Sequence, residues 1–125
     1  MIRLTLGGTV ASVSYGIGIG SAYIGGAESV GVGYSSRTSA GTVAIGHDSG
    51  PESAGDGEQS IYIGNEAKGT ADNSIVLNAN GGSTLTSATE TNSFKVFMSS
   101  ASTPDFQVTN THITASGNIS GSSIS

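Results

Sequence analysis

"GIGIGSAYIGGAESVGVG", Gly16–Gly33, holds two apolar-Gly-apolar-Gly tetrads whose first residues lie 13 positions apart. A stretch of this kind is a phosphate-binding loop, a low-complexity tract or one turn of something that repeats. A phosphate loop needs a helix directly after it, whose N-terminus holds the anion. No helix fits here: glycine costs up to about 1 kcal/mol per helical position relative to alanine, and no 3.6-residue apolar period is present. The pattern also recurs along the chain, which a single phosphate site gives no reason for.

The recurring tetrads are Leu4-Thr5-Leu6-Gly7, Ile17-Gly18-Ile19-Gly20, Val30-Gly31-Val32-Gly33, Val43-Ala44-Ile45-Gly46, Ile61-Tyr62-Ile63-Gly64 and Ile75-Val76-Leu77-Asn78. Their first residues are separated by 13, 13, 13, 18 and 14 positions. Each alternates with period two and closes on Gly, or on Asn in the last copy, the residues that best tolerate a positive φ. That reads as a short strand followed by a corner. Ten residues after a tetrad starts comes a small residue, Ser14, Ala27, Ala40 or Ala71, which fits a second narrow strand facing the first. Thirteen residues at about 3.3 Å each give a contour near 43 Å, enough for two short strands and two turns. A lap of that size is a coil of a β-solenoid, and six coils stacked at about 4.8 Å make a column roughly 25–30 Å tall. Residues 1–81 are therefore expected to be all-β, with 13–14 residues per coil. The step of 18 is an ordinary lap plus an insertion, supplied by "HDSGPESAGDGEQ", His47–Gln59, whose Pro51, glycines and acids mark a surface loop.

The bulk composition agrees with a thin, repetitive interior. Apolar residues make up 35% of the 125 and charged residues 10%, which excludes the highly charged kind of disorder. Three Phe, four Tyr and no Trp are too few for a thick core, so Val, Ile, Leu and Ala must fill it. Nine acids against four bases give a net charge of -5, and Arg3, Arg37, Lys68 and Lys95 cannot build a basic patch, so nucleic acid is not an expected partner. With no cysteine there is neither a disulfide framework nor a thiolate metal site. "MIRLTLGGTV" lacks the apolar run of a signal peptide and no segment approaches a membrane span, so no membrane contact is expected.

Within each tetrad the first and third residues point one way and the middle residue the other. The middle residues are Thr5, Gly18, Gly31, Ala44, Tyr62 and Val76. Two short strands per lap cannot bury both faces, and an apolar stripe along the whole column would exceed what monomers usually expose. Association of copies would bury it. The alternation leaves open which set faces the interior and which the neighbours.

The units "SVGVG", "TVAIG", "SIYIG" and "SIVLN", with "NEAKGTADNSIVLN" as a nearly complete lap, resemble the head repeat of YadA-like trimeric autotransporter adhesins across residues 1–81. The resemblance implies a left-handed parallel β-roll assembled side by side as a homotrimer. The continuation "SIVLNANGGSTLTSATETNSFKVF" is similar to the roll-to-fibre junction of phage and large-virus structural proteins, matched by Asn92, Ser93, Phe94 and Val96. The Pro-Ile-Arg type of continuation found there is replaced by Met98-Ser99-Ser100, and nothing resembles the adhesins' neck, heptad stalk or anchor barrel.

Residues 82–125 form the second segment, a junction followed by a strand-rich, fibre-like extension or a linker to a further domain. Phe106-Gln107-Val108 and Ile113-Thr114-Ala115 are period-two strands divided by a turn at Asn110-Thr111. Candidate chemistry is sparse. Asp48, Glu52, Asp56 and Glu58 could gather oxygen ligands for Ca²⁺ but lack the spacing of a calcium loop, and read better as a solvated loop. His47 and His112 have no second ligand at metal-site spacing, although three copies of His112 on a threefold axis could hold an ion. No serine sits in a nucleophile motif, and Asn118-Ile119-Ser120 is a formal glycosylation sequon. The expectation is a non-enzymatic structural protein without catalytic, cofactor or metal residues, a homotrimeric β-roll of a virion fibre, tail appendage or capsid decoration. Its partners would be its own copies, other virion proteins and a host receptor or glycan. The competing expectation is the head of a bacterial surface adhesin that binds matrix or cells.

Overall fold

A computed structural model describes residues 3–7, 9–10, 15–53, 55–80, 89–98 and 103–115. The strands in chain order are β1 (Arg3–Leu6), β2 (Thr9–Val10), β3 (Gly16–Ile19), β4 (Tyr23–Ile24), β5 (Ser29–Val32), β6 (Arg37–Thr38) and β7 (Val43–Ile45). They continue with β8 (Gly50–Pro51), β9 (Ile61–Gly64), β10 (Lys68–Gly69), β11 (Ile75–Asn78), β12 (Phe94–Phe97), β13 (Phe106–Val108) and β14 (Ile113–Ala115). Among the described residues there is no helix, and the fold is a β-solenoid of about four turns. Six laps were expected; the first has residues 11–14 and the last residues 81–88 outside the described set.

The tetrads stack in register as their spacing predicts. Leu4 pairs with Ile17, Ile17 with Val30, Val30 with Val43, Val43 with Ile61 and Ile61 with Ile75, all parallel. The same parallel register carries on to β12, where Ile75 meets Phe94. The whole sheet has nine strands in the order β1-β3-β5-β7-β9-β11-β12-β13-β14. The last two strands are antiparallel, so the ladder reverses sense between β12 and β13. They are the two strands expected on either side of Asn110-Thr111, and Thr109 N donates to His112 O across the turn at 2.9 Å.

The opposite wall is made of two-residue strands, β2-β4-β6 and β8-β10. This corrects the placement of the second strand by the small residues. Ala27, Ala40 and Ala71 lie in turns after these strands, where Gly41 N reaches Ala27 O and Gln59 N reaches Ala40 O at 2.9 Å. A small side chain is needed there because the chain is already bending and the next coil passes close by. The surface-loop reading of His47–Gln59 is likewise narrowed. Gly50 and Pro51 form β8 and are buried, so the residues added to the lap lie between Glu52 and Gln59.

The interior fills by matched sizes. Gly31 sits against Ile24, whose Cδ1 would lie 2.7 Å from any Cβ added at Gly31. In the enlarged lap the relation is inverted: Tyr62 is fully buried, and a Cβ at Gly57 would lie 2.1 Å from its hydroxyl. The insertion thus makes room for the largest interior side chain, which packs with Ala67, Val76 and Phe97. Burying a side chain of this kind contributes about 1.5–3 kcal/mol each. From β5 to β12 the residue before each stacked tetrad is a buried Ser or Thr, and the serines bond back to the corner they follow. Ser29 Oγ donates to Gly26 O at 2.6 Å, Ser74 Oγ to Ala71 O at 3.0 Å and Ser93 Oγ to Glu90 O at 2.7 Å.

Two corners bend each lap. At one, Gly33, Gly46 and Gly64 have positive φ, and a Cβ on any of them would come within 2.2 Å of a carbonyl in the next coil. Asn78, expected to share that conformation, does not adopt it. It is buried, donates its side-chain amide to Asn65 O and accepts from Asn80 N at 2.9 Å, so it caps the corner column through its side chain. At the other corner the left-handed conformation is taken by Tyr15, Glu28, Gly41, Gln59, Asn73 and Asn92, with φ between 53° and 65°.

Candidate functional site

The register settles which set of tetrad residues faces out. The middle residues Gly18, Gly31, Ala44, Tyr62 and Val76 are all buried. The first and third residues form two outward columns: Ile17, Val30, Val43, Ile61, Ile75 and Phe94, and beside them Ile19, Val32, Ile45, Ile63, Leu77 and Val96. Ile17, Ile19, Ile45, Ile63 and Ile75 each keep between 37% and 41% of their surface exposed, and Leu6 at the N-terminal end keeps 60%. Neither column contains a charged residue. A shallow cleft of about 190 Å³ borders the first column, between Tyr15 and Ile17 in one coil and Glu28 and Val30 in the next.

The stripe spans nine strands at about 4.8 Å, close to 38 Å, and four residues at about 3.3 Å, close to 13 Å, which is roughly 500 Å². That is at the upper end of the largest apolar patch on ordinary monomers, and such patches mark association surfaces. The signal for the assignment lay in the tetrads themselves. Gly18, Gly31 and Ala44 are too small to build an exterior face but suit an interior entered by Ile24 from the opposite wall.

The return wall has a different outer face. Tyr23, Arg37 and Lys68 are in register along it, with Gly50 between the two bases. Lys68 Nζ meets Asp48 Oδ1 at 2.7 Å, and Arg37 Nη1 donates to Glu52 O at 2.5 Å. At the adjoining corner the rings of Tyr34 and His47 stack 5.5 Å apart and 11° from parallel. This outside is polar, charged and irregular from coil to coil.

The acids singled out in the sequence do not converge. Asp48 is engaged by Lys68, Asp56 is half-buried, and Glu52 and Glu58 are exposed. Among the described residues no three His, Asp or Glu side chains come together as metal ligands. His47 belongs to the Tyr34 stack, while His112 is exposed in the hairpin turn with Thr111 Oγ1 at 2.5 Å from its Nδ1. Asn118-Ile119-Ser120 lies outside the described residues. No described helix is long and apolar enough to cross a membrane.

Two titratable groups are displaced from their ordinary values. Burial raises the Tyr62 phenol above 10.0, opposed by the nearby Ser60 and Ser74 hydroxyls and reinforced by the charges of Asp72 and Asp56. Its hydroxyl has no hydrogen-bond partner. Lys95 holds Glu90 below 4.5, chiefly by a hydrogen bond and by its charge, with Nζ 2.9 Å from Glu90 Oε2. Gln107 Nε2 donates to the same oxygen at 2.5 Å, which ties β13 to the segment before β12.

What fold and surface define together is a β-solenoid with one long uncharged face. Comparison of the chain with protein-family models, curated proteins and solved structures found no match.

Proposed function

We propose that this chain is a non-enzymatic structural module that assembles as a homotrimeric β-roll in a virion fibre, tail appendage or capsid decoration. The observation that carries the reading is the outward double column of Ile, Val and Leu, repeated coil by coil and free of charge. Two such faces of roughly 500 Å² bury about 1,000 Å² in total, the threshold of a specific interface, and three closing around an axis bury about 1,500 Å² shared among three contacts, with no copy's face left in water. The ladder supplies stiffness, and the charged return wall and aromatic corner are left outside for other virion proteins or a host receptor. The resemblance to adhesin heads supports the same assembly on a bacterial surface, where a stalk and an anchor would follow the head.

Sedimentation equilibrium of the chain at micromolar concentration tests the assembly, with three times the chain mass as the expected result. A monomer at that concentration overturns it. Immunogold labelling of particles and of cells then separates the virion from the cell surface.

A further inference from the structure

We infer that the C-terminal hairpin, β13–β14, is part of the surface through which copies of this chain pack together, so that the contact extends past the end of the roll. The inference rests on the reading of the outward stripe as a self-association face. The antiparallel registers place Val108 opposite Phe94 and Ile113 opposite Val108, which prolongs the first column. They place Phe106 opposite Val96 and Ala115 opposite Phe106, which prolongs the second. Residues directly opposite across a ladder share a face, so both columns continue over the reversal of chain direction without a break.

The other face of the hairpin is different. In the column of interior residues Ala44, Tyr62 and Val76, the next member is Lys95, followed by Gln107 and Thr114. Lys95 is buried against Glu90, and Gln107 shares that carboxylate. Among the described residues no return strand lies over this end, since the opposite wall stops at β10. The hairpin therefore has a polar back and an apolar front. Its alternation cannot be explained by a roll interior, because the apolar side is the one turned away from where an interior would be. A strand pair with one apolar face needs a second layer to cover it, and two strands alone are marginal. Phe106 finds partial cover on Phe94, with ring centroids 5.9 Å apart, but Ile113 is left 67% exposed.

The occupant that fits is another copy of the same chain. The front is a ladder with one residue per column every 4.8 Å or so, without charge, and a copy rotated about an axis parallel to the stack presents the same rise at every level. The hairpin supplies two of the nine strands of the stripe, about a fifth of its area, without which two facing copies fall below the roughly 1,000 Å² of a specific interface.

The absence of cysteine makes the test clean. Ile75→Cys and Ile113→Cys lie in the same outward column, and Thr114→Cys lies on the back of the hairpin. Each variant is treated with a short bis-maleimide and resolved on denaturing gels, with far-ultraviolet circular dichroism confirming that it folds. The expected result is rapid cross-linking at Ile75 and at Ile113, and roughly tenfold slower cross-linking at Thr114. In parallel, Ile113→Asp should weaken association about tenfold or more, and Thr114→Asp should leave it unchanged. Cross-linking at Ile75 but not at Ile113, in a protein that sediments as a trimer, overturns the hairpin's role and leaves the trimer standing. A monomer that cross-links at neither position overturns both.

Discussion

The fit of Tyr62 into the space opened by Gly57 can be measured as a coupling energy. Replacing Gly57 with alanine imposes two costs. Its φ is +58°, which costs a residue with a Cβ about 1–2 kcal/mol. The new methyl would also lie 2.1 Å from the Tyr62 hydroxyl, and overpacking of that kind costs typically 1–3 kcal/mol. Only the second cost depends on the hydroxyl. With the oxygen removed, the nearest atoms to the methyl are Tyr62 Cζ at 3.2 Å and Pro51 Cβ at 3.4 Å, which small shifts accommodate. Gly57→Ala should therefore cost about 2–5 kcal/mol in the native background but only about 1–2 kcal/mol in the Tyr62→Phe background, a coupling of roughly 1–3 kcal/mol. Urea unfolding of the four proteins followed by circular dichroism, at one protein concentration because association adds to apparent stability, provides the cycle. Equal costs in both backgrounds would refute the argument that the insertion exists to house this ring.

Tyr62→Phe alone should be neutral or mildly stabilising at neutral pH, because it removes a buried hydroxyl without a partner. The Tyr62 phenol has a raised pKa in the fold, so its contribution is complete below 10.0 and is lost as pH rises beyond it; alkaline melting curves should fall more steeply for the native chain than for Tyr62→Phe. Ala44→Asp puts a charge into the interior and should abolish the β signal, whereas its neighbour Ile45→Asp should leave a folded chain that sediments as a monomer. Glu90 is depressed by Lys95, so its hold on the hairpin is present above pH 4.5 and fades as pH falls through its lower value in the fold; the protection factors of β13 amides, corrected for intrinsic exchange, should fall on acidification in the native chain and stay level in a Glu90→Gln variant.

How much of this could be read from the residues depended on where each physical constraint leaves a mark. The stacked tetrads were legible because parallel strands in register must repeat their alternation, and Gly33, Gly46 and Gly64 had to lack a Cβ. The second corner was not legible, since Tyr15, Glu28 and Gln59 adopt the left-handed conformation with no glycine to announce it. At four of these corners a buried serine that opens the next strand, Ser29, Ser60, Ser74 or Ser93, bonds back to the corner, and such a serine looks like any other in a chain rich in them. The return strands were misplaced because two residues are too few to show a period. The outward face was legible only as one of two options until the size of Ile24 showed why Gly31 belongs inside.

The reversal of the ladder at β13 bears on how long the object can grow. A stack of near-identical laps offers at its end a strand ready to receive the first strand of another molecule, and nothing in the repeat itself sets a last lap. Here the interior column passes from Val76 to the buried Lys95, ion-paired to Glu90 at the surface, just before the strand sense flips, so a further parallel lap beyond β12 finds neither an apolar interior nor a matching direction. Among the described residues the parallel stack therefore ends at β12, and the edge that follows it is that of an antiparallel hairpin in place of a further lap.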